Sequence, residues 1–285
     1  MIPSHRRRKE RLFFTLFRAC GALVVLVLMV LVGYIVWNGA GAISWDFLTQ
    51  IPKDNYSAGG IFPAIAGTVM LMGLVMAFAV PVGVLTAVYL VEYQTSSLFK
   101  NALRMVVHNL AGVPSIVYGL LGLGLLVFML NMGFSLLASG LTMAILVLPM
   151  VIAASREALQ AVPYSVREAS LALGTTKWQT VRHHVLPYAM PGVLTGIILS
   201  LSRAAGETAP ILLTGVIANK IGIPNGLFDS FAALPFHLYY LVTQTRAQFT
   251  RDNQYGTALV LLVLVIGMNL FAIYLRKKYR EKYRW

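Results

Sequence analysis

Two charged side chains, Arg203 and Glu207, lie four residues apart within an apolar stretch long enough to cross a membrane. A charge at the centre of a bilayer costs about 2.5 to 3.5 kcal/mol on insertion scales, so ionisable groups there indicate a functional site. An arginine offers several donors in a fixed fork and a permanent charge, which suit a tetrahedral oxyanion. Two interpretations are open: a structural ion pair that locks the helix bundle, or a translocation pathway in which Arg203 attracts an anion and Glu207 limits how tightly it binds.

A helical projection at about 100° per residue places Arg203 and Glu207 on one narrow stripe with small residues. The same stripe holds Gly192 and Gly196, whose four-residue spacing predicts close packing against another helix. Pro210 removes the hydrogen bond to the Gly206 carbonyl, so a bend is expected between the two charged positions. The pattern therefore predicts a single, bent helix across residues 189–216.

The composition indicates an all-α integral membrane protein. Hydrophobic residues make up 58% of the chain, charged residues 12%, and the mean hydropathy is +0.74. A helix crosses the apolar core of a bilayer in about 20 residues. Six predicted transmembrane helices span residues 19–37, 61–90, 110–130, 134–154, 189–216 and 257–275.

The positive charges follow the topology of such a protein. Most of the 23 Lys and Arg residues lie in basic tails at 1–18 and 276–285, in the second loop, or in the fourth loop at 156–188. The positive-inside rule then predicts that both termini and these two loops are cytoplasmic. The net charge of +13 is accordingly interpreted as a topology signal, and no nucleic acid is expected as a partner.

The domain organisation follows from these segments. The basic tail at 1–18 precedes a first transmembrane helix and an external loop at 19–60. A five-helix transmembrane domain covers 61–275, and a second basic tail closes the chain at 276–285. The fifth loop, 217–256, is the longest external one, and its conformation is left open.

Motifs for an embedded enzyme are absent from the sequence. No Gly-x-x-x-x-Gly-Lys-Ser/Thr loop occurs, so the chain lacks a Walker A phosphate cradle and any energy from ATP must come from a partner. His183 and His184 point to different faces of a helix and lack neighbouring ligands, so no metal site is expected. The single cysteine, Cys20, cannot form an internal disulfide.

The fourth loop has the signals of two short helices. Pro163 stands near a helix start, with Ser165 as the expected N-cap and Glu168 as its capping-box partner. The first helix, 166–173, is expected to end at Gly174, and a second one to run over 177–185. Such a pair is either a plain surface hairpin between two spans or a docking element.

The same loop resembles a known motif. Glu168-Ala169-Ser170, three residues, Gly174, nine residues and His184-Val185-Leu186-Pro187 resemble the EAA loop of ABC importer permeases. Ser170 replaces the second Ala of that pattern and His184 replaces its Ile. The resemblance implies coupling helices that dock in a cleft of a cytoplasmic ATPase subunit, through the matching residues Glu168, Ala169, Gly174, Leu186 and Pro187.

Two further stretches narrow the resemblance to one group within the ABC importer permeases. Residues 111–120, Ala-Gly-Val-Pro-Ser-Ile-Val-Tyr-Gly-Leu, and 202–210, Ser-Arg-Ala-Ala-Gly-Glu-Thr-Ala-Pro, are similar to the phosphate-specific ABC permeases, and in particular to their A subunit. The resemblance implies the fold of a type I ABC importer permease and a location in a bacterial plasma, or inner, membrane. It also implies a C-type permease subunit as heterodimer partner, two ATPase subunits and an extracytoplasmic phosphate-binding protein. ATP and Mg would bind to the ATPase, and this chain would need no cofactor.

Other functions remain as alternatives. A permease for another oxyanion, sulfate or molybdate, would keep the same loop and the same charged pair. An ion-coupled secondary transporter would be expected to have internal repeats and broken helices around a midplane site, and it would not need the EAA spacing. A membrane signalling or scaffold protein would leave Arg203 and Glu207 without a role in transport.

Overall fold

The computed structural model describes residues 4–53, 59–93, 97–217, 222–243 and 251–282. Two parts of the fifth loop predicted at 217–256, residues 218–221 and 244–250, thus lie outside the described residues. Within the described ranges the chain is helical and forms no extended strand. Its helices are α1 Ser4–Gly39, α2 Trp45–Thr49, α3 Phe62–Glu92, α4 Ser97–Ala111, α5 Ser115–Gly122, α6 Leu136–Gln160, α7 Tyr164–Ala172, α8 Lys177–Thr180, α9 Leu186–Ala205, α10 Ala209–Thr214, α11 Leu234–Thr243 and α12 Arg251–Lys282.

Five helical segments in the described ranges are long and apolar enough to cross a membrane. They are Glu10–Ala42, Phe62–Glu92, Leu136–Gln160, Lys177–Ala205 and Asn253–Glu281. A sixth crossing comes from a bent pair, Leu98–Ala111 and Ser115–Met129, whose two helices meet at 107°. The all-helical class and the six predicted spans are therefore confirmed if the bent pair is counted as one span. Helical structure also extends into both basic tails, since α1 begins at Ser4 and α12 ends at Lys282.

The third span differs from the predicted helix at 110–130. Leu110 and Ala111 end the preceding helix α4, and the chain turns at residues 112–114 before α5 begins. Pro114 explains the turn, because proline disfavours helical geometry in the residue before it and suits the position just before a new helix. The hydroxyl of Tyr118 donates a hydrogen bond of 2.7 Å to the Leu110 carbonyl, which stabilises the corner. A π-helical segment, Leu123–Met129, completes the span.

The fifth span also differs from its prediction. The single bent helix across 189–216 is wrong, because α9 ends at Ala205 and a separate short helix, α10, starts at Ala209. Gly206 has a low helix propensity, and Pro210 stands in the first turn of α10, where its missing N–H is tolerated. Proline thus separates two helices here instead of bending one. At its other end, the span extends back through a π-helical turn, Val181–Val185, to Lys177.

Helix α6 lies at the centre of the bundle. It packs against α3, α4, α5, α9 and α10, and most of its residues from Leu136 to Ile152 are buried. Its Ser139 hydroxyl lies 2.9 Å from the Thr214 hydroxyl of α10, and Thr214 donates to the Pro210 carbonyl at 2.8 Å. These two buried hydroxyl groups are thus paired, which an apolar interior favours.

One end of the bundle is closed by the chain that follows α10. Val216 and Phe231 form an isolated parallel bridge, and the Leu136 N–H donates to the Asp229 carbonyl at 2.9 Å. The Leu234 N–H donates to the Thr68 hydroxyl of α3 at 2.9 Å, which fixes the start of α11. Burial lowers the pKa of His237 on α11 to about 4, so its imidazole is neutral at physiological pH. This end of the bundle is therefore packed and uncharged at its centre.

Candidate functional site: an accessible charged pair and the fourth loop

Arg203 and Glu207 both lie at the break between α9 and α10. Arg203 belongs to the last turn of α9, and Glu207 stands in the three-residue gap before α10. The Glu207 N–H donates to the Ala204 carbonyl at 3.2 Å, so a residue of the gap provides a hydrogen bond to a carbonyl at the end of α9. Glu207 is therefore not on the helical stripe that the sequence predicted for it, although the two side chains remain adjacent.

The contact between the two side chains is loose and accessible. The Arg203 Nε lies 3.5 Å from Glu207 Oε1, and the side chains are 58% and 18% exposed. Arg203 makes one other contact with the described residues, from Nη1 to the Met150 Sδ of α6 at 3.9 Å. Since a guanidinium has five N–H donors, most of its donors have no hydrogen-bond partner among the described residues. Such a pair contributes little stability in this geometry and leaves the arginine able to bind an anion.

The two stretches that resembled phosphate-specific permeases contact each other. Gly119, from the stretch 111–120, lies against Ala209 and Pro210 from the stretch 202–210. A Cβ added at Gly119 would meet the Pro210 Cα at 3.0 Å, so α5 approaches the α10 backbone closely. Residues about 90 positions apart in the sequence thus form one packed unit, and this unit holds the helix break beside Arg203.

The fourth loop contains the two expected helices, and the second begins at Lys177 as predicted, whereas the first begins earlier. Helix α7 begins at Tyr164, one residue after Pro163, and the expected cap from Ser165 is wrong because Ser165 lies inside the helix. Gly174 has a φ of +80°, the left-handed conformation that ends α7 without a Cβ penalty. Thr176 and Gln179 form a capping box at the start of α8. Helix α8 then continues through the π-helical turn into α9, so the second loop helix and the fifth span are one continuous element.

Ser170, which departs from the EAA pattern, has a structural role in this loop. Its hydroxyl lies 2.8 Å from the Thr175 hydroxyl and 3.0 Å from the Thr180 hydroxyl. Thr175 and Thr180 are also 3.0 Å apart, so the three side chains form a closed hydrogen-bonded cluster. This cluster joins α7 to α8 across the Gly174 turn. An alanine at 170 would leave the buried Thr180 hydroxyl with one partner fewer.

A buried ion pair that the sequence analysis did not identify attaches α7 to the bundle. Arg167 donates from Nη2 and Nε to the Glu92 carboxylate at the end of α3, at 2.7 and 3.1 Å. The same guanidinium donates to the carbonyls of Val162 at 2.6 Å and Leu159 at 2.8 Å, which cap the end of α6. The two side chains are only 12% and 10% exposed. Arg167 therefore fixes α7 to the ends of both α3 and α6.

The residues that match the EAA pattern lie on both sides of this loop. Glu168 and Ala169 are exposed on α7, beside the apolar Leu173, which is 85% exposed. Leu186 and Pro187 are half-buried at the start of α9. The exposed face of α7 is thus free to contact another protein, while the Pro187 side of the motif belongs to the bundle.

The described residues offer no metal-binding cluster. No group of three or more His, Cys, Asp or Glu side chains converges within them. His183 is exposed, and its Nδ1 lies 3.1 Å from the Gln179 carbonyl of its own helix. Neither histidine of this pair belongs to a group of three or more potential ligands in the part of the chain that the structure describes.

The two glycines of the fifth span lie against α6. A Cβ at Gly192 would approach the Ala158 Cβ to 2.7 Å, and one at Gly196 would overlap the Ala154 Cβ. The hydroxyl of Ser200 donates back to the Gly196 carbonyl at 2.8 Å within the same buried contact. Small residues on both helices thus allow α9 and α6 to approach closely.

Replacing Gly196 by alanine is expected to destabilise the chain by about 2 kcal/mol, because overpacking a dense interior forces helices apart. Unfolding of the purified protein in detergent measures the change. The double variant G196A and A154G should recover the loss, since it moves the methyl group from one helix to the other. Gly73→Ala is the matched control, because a Cβ there meets nothing within 4 Å. Equal stability of G196A and G73A would contradict this packing.

The family of the chain follows from three comparisons. Residues 79–284 match the family described as "Binding-protein-dependent transport system inner membrane component". The chain is 36% identical over 280 residues to the phosphate transport system permease protein PstA 1 of Mycobacterium tuberculosis (strain CDC 1551 / Oshkosh), covering 96% of this chain and 91% of that relative. It is 37% identical over 275 residues to PstA of Mycobacterium leprae (strain TN), covering 94% and 89%. These matches confirm the resemblance to phosphate-specific ABC permeases.

Solved structures show the same fold at low sequence identity. A bacterial alginate ABC transporter in complex with an alginate pentasaccharide-bound periplasmic protein aligns with a TM-score of 0.68 and 16% identity, over 95% of this chain and 96% of that one. The MetNI methionine ABC transporter in an inward-facing conformation aligns with a TM-score of 0.58 and 17% identity, over 77% and 94%. The fold is that of type I ABC importer permeases, and this multi-pass membrane protein belongs to the family of binding-protein-dependent transport system inner membrane components.

Proposed function

We propose that this chain is a permease subunit of an ATP-driven importer of inorganic phosphate. The observation that carries the proposal is Arg203, a cation at a break in a membrane helix. Most of its donors have no partner in the part of the chain that the structure describes. Relatives at 36% and 37% identity are named phosphate transport system permeases, which supports phosphate as the anion.

The exposure of Arg203 supports a second permease subunit. A guanidinium that is 58% exposed cannot face lipid at low cost, so the surface around it must line a water-filled path or contact another protein. A C-type permease subunit would cover this face and complete the pathway as a heterodimer. Arg203 would then attract phosphate, and Glu207 would limit its residence by competing for the same guanidinium.

The fourth loop supports coupling to an ATPase. Two ATPase subunits, which would bind ATP and Mg, would serve the permease pair, one of them on the exposed face of α7 around Glu168, Ala169 and Leu173. Force applied to α7 would be transmitted to the helix bundle through the contacts of Arg167. Movement of α8 would be transmitted to Arg203 along one helix, because α8 and α9 are continuous. Such coupling would require both termini and α7 to be cytoplasmic, as the positive-inside rule predicts. An extracytoplasmic phosphate-binding protein would deliver the anion to the opposite end.

Reconstitution in proteoliposomes tests the proposal. The chain with its permease partner, ATPase and binding protein should accumulate labelled phosphate only when ATP and Mg are present on the ATPase side. Excess sulfate or molybdate should leave this uptake unchanged. Uptake that persists without the ATPase, or that follows an ion gradient, would exclude an ATP-driven importer. Equal uptake of sulfate or molybdate would exclude phosphate as the specific substrate.

A further inference from the structure

A second group of basic side chains surrounds a small cavity between α4 and α6. The cavity has a volume of about 120 Å³, and Arg104, His108 and Arg156 line it together with apolar residues such as Pro149 and Ile152. No carboxylate is among the residues that line it. The volume corresponds to about four waters at ~30 Å³ each, so a phosphate group has room there.

Arg156 has an unmet hydrogen-bond donor at this cavity. Its Nε is buried and has no hydrogen-bond partner among the described residues. A buried donor without a partner is unfavourable, and more so when the group is charged. Arg167, on the next helix, meets carboxylate and carbonyl acceptors with the same type of side chain. The unmatched donor of Arg156 therefore indicates an acceptor that comes from outside the chain.

Helix α4 contributes two basic side chains, Arg104 and His108, to the lining of the cavity. Lys100, Arg104 and His108 follow one another at four-residue spacing and thus share one face of α4. Leu98 and Met105 are 83% and 61% exposed on the same helix. Because α4 meets α5 at 107°, it does not run parallel to the membrane-crossing part of its span. An amphipathic helix in this orientation, with basic and apolar faces, suits the boundary between lipid headgroups and acyl chains.

We propose that the cavity binds a phosphate group through Arg104, His108 and Arg156. Arginine forks match the oxygens of a phosphate group, and the absence of a lining carboxylate leaves their charge uncompensated. The group has two possible sources: inorganic phosphate that leaves the pathway, or the headgroup of a membrane phospholipid. The site is separate from Arg203, whose contact on α6 is Met150, outside the cavity lining.

Two binding measurements on the same samples test this site. The full chain, co-purified with its partner subunits in a phosphorus-free detergent, carries Arg203→Gln in every sample, so that binding at Arg203 does not contribute. Equilibrium dialysis with labelled inorganic phosphate measures the free anion, and native mass spectrometry measures phospholipid that remains bound. Arg156→Gln and Arg104→Gln test the cavity. Arg280→Gln, an exposed cation on α12, is the matched control.

Each outcome of the two measurements either supports or overturns the site. If inorganic phosphate is the occupant, R156Q and R104Q should each weaken its binding about tenfold, with R280Q unchanged. If a phospholipid is the occupant, phosphate binding should stay constant while bound phospholipid falls severalfold in the two cavity variants only. Variants that match R280Q in both measurements would overturn the proposal. Failure here is distinct from failure of the proposed function, because the latter is read from transport by the reconstituted importer.

Discussion

Replacing Arg203 by glutamine is expected to lower phosphate uptake about 100-fold without loss of the assembled transporter. Hydrogen bonds to a charged group contribute about 1.5 to 3 kcal/mol each, and the upper value corresponds to roughly a 100-fold change. Glutamine keeps polar donors near this position but removes the charge and the planar fork. Initial rates of labelled phosphate uptake, at matched amounts of assembled complex in the membrane, measure the effect. Arg280→Gln, at an exposed end of α12, should leave the rate unchanged.

A double variant separates the two interpretations of this charged pair. If Arg203 and Glu207 form only a structural lock, neutralising both should be far less harmful than neutralising one, because no unpaired charge remains. If Arg203 contacts the anion, the double variant R203Q and E207Q should be as inactive as R203Q alone. The 3.5 Å contact and the 58% exposure of Arg203 favour the second result. Recovery of phosphate uptake in the double variant would contradict the hypothesis that Arg203 contacts the anion in the translocation pathway.

The charged pair could be found from sequence, but its geometry could not. Arg203 and Glu207 stand out because ionisable residues are rare in apolar segments, and this signal needs no structure. The break between them could not be predicted, because apolar residues continue from Ile211 to Val216 and imitate an unbroken span. Pro210 gives the same signal for a bend within a helix and for the first turn of a new one. Only the close packing of Gly119 against α10 distinguishes the two cases.

The helices of the fourth loop likewise combine features that could be predicted from the sequence with one feature that could not. The position of Gly174 and the presence of two helices follow from local turn chemistry, and both match the structure. The continuity of α8 with α9 was less accessible, since Pro187 within that stretch predicts a helix boundary. The π-helical turn at Val181–Val185 ends two residues before Pro187, and the helix continues through the proline. Whether a helix continues through a proline depends on three-dimensional packing, which local sequence patterns do not show.

The ion pair of Arg167 with Glu92 was beyond local sequence patterns altogether. The two residues are separated by 75 positions, and each is one charge among others at the end of a helix. Their pairing depends on how α3, α6 and α7 end at one place in the bundle. The pairing also adds to the interpretation of the charge pattern, because Arg167 serves as an internal anchor in addition to contributing to the positive charge of the fourth loop.

Loss of this anchor is expected to have the largest effect on stability of any substitution in the loop. Arg167→Gln removes the partner of the Glu92 carboxylate, which is only 10% exposed, and also removes a donor from the Val162 and Leu159 carbonyls, of which Leu159 keeps the Val162 N–H. Removing one partner of a buried ion pair costs about 3 to 5 kcal/mol. Unfolding of the purified assembly by heat or denaturant, with co-purification of the ATPase as a second readout, measures the loss.

The relative stabilities of three variants identify which contacts of Arg167 cause that loss of stability. Glu92→Gln should be milder than R167Q, because Arg167 keeps its carbonyl acceptors at 2.6 and 2.8 Å and glutamine still offers an acceptor oxygen. Arg182→Gln changes an exposed cation of the same loop and should leave stability within about 0.5 kcal/mol of the parent. If R167Q and R182Q prove equally stable, Arg167 is not an anchor. If R167Q unfolds early while E92Q behaves like the parent, the helix-capping carbonyl contacts carry the effect, and force from a docked ATPase would reach the bundle mainly through the end of α6.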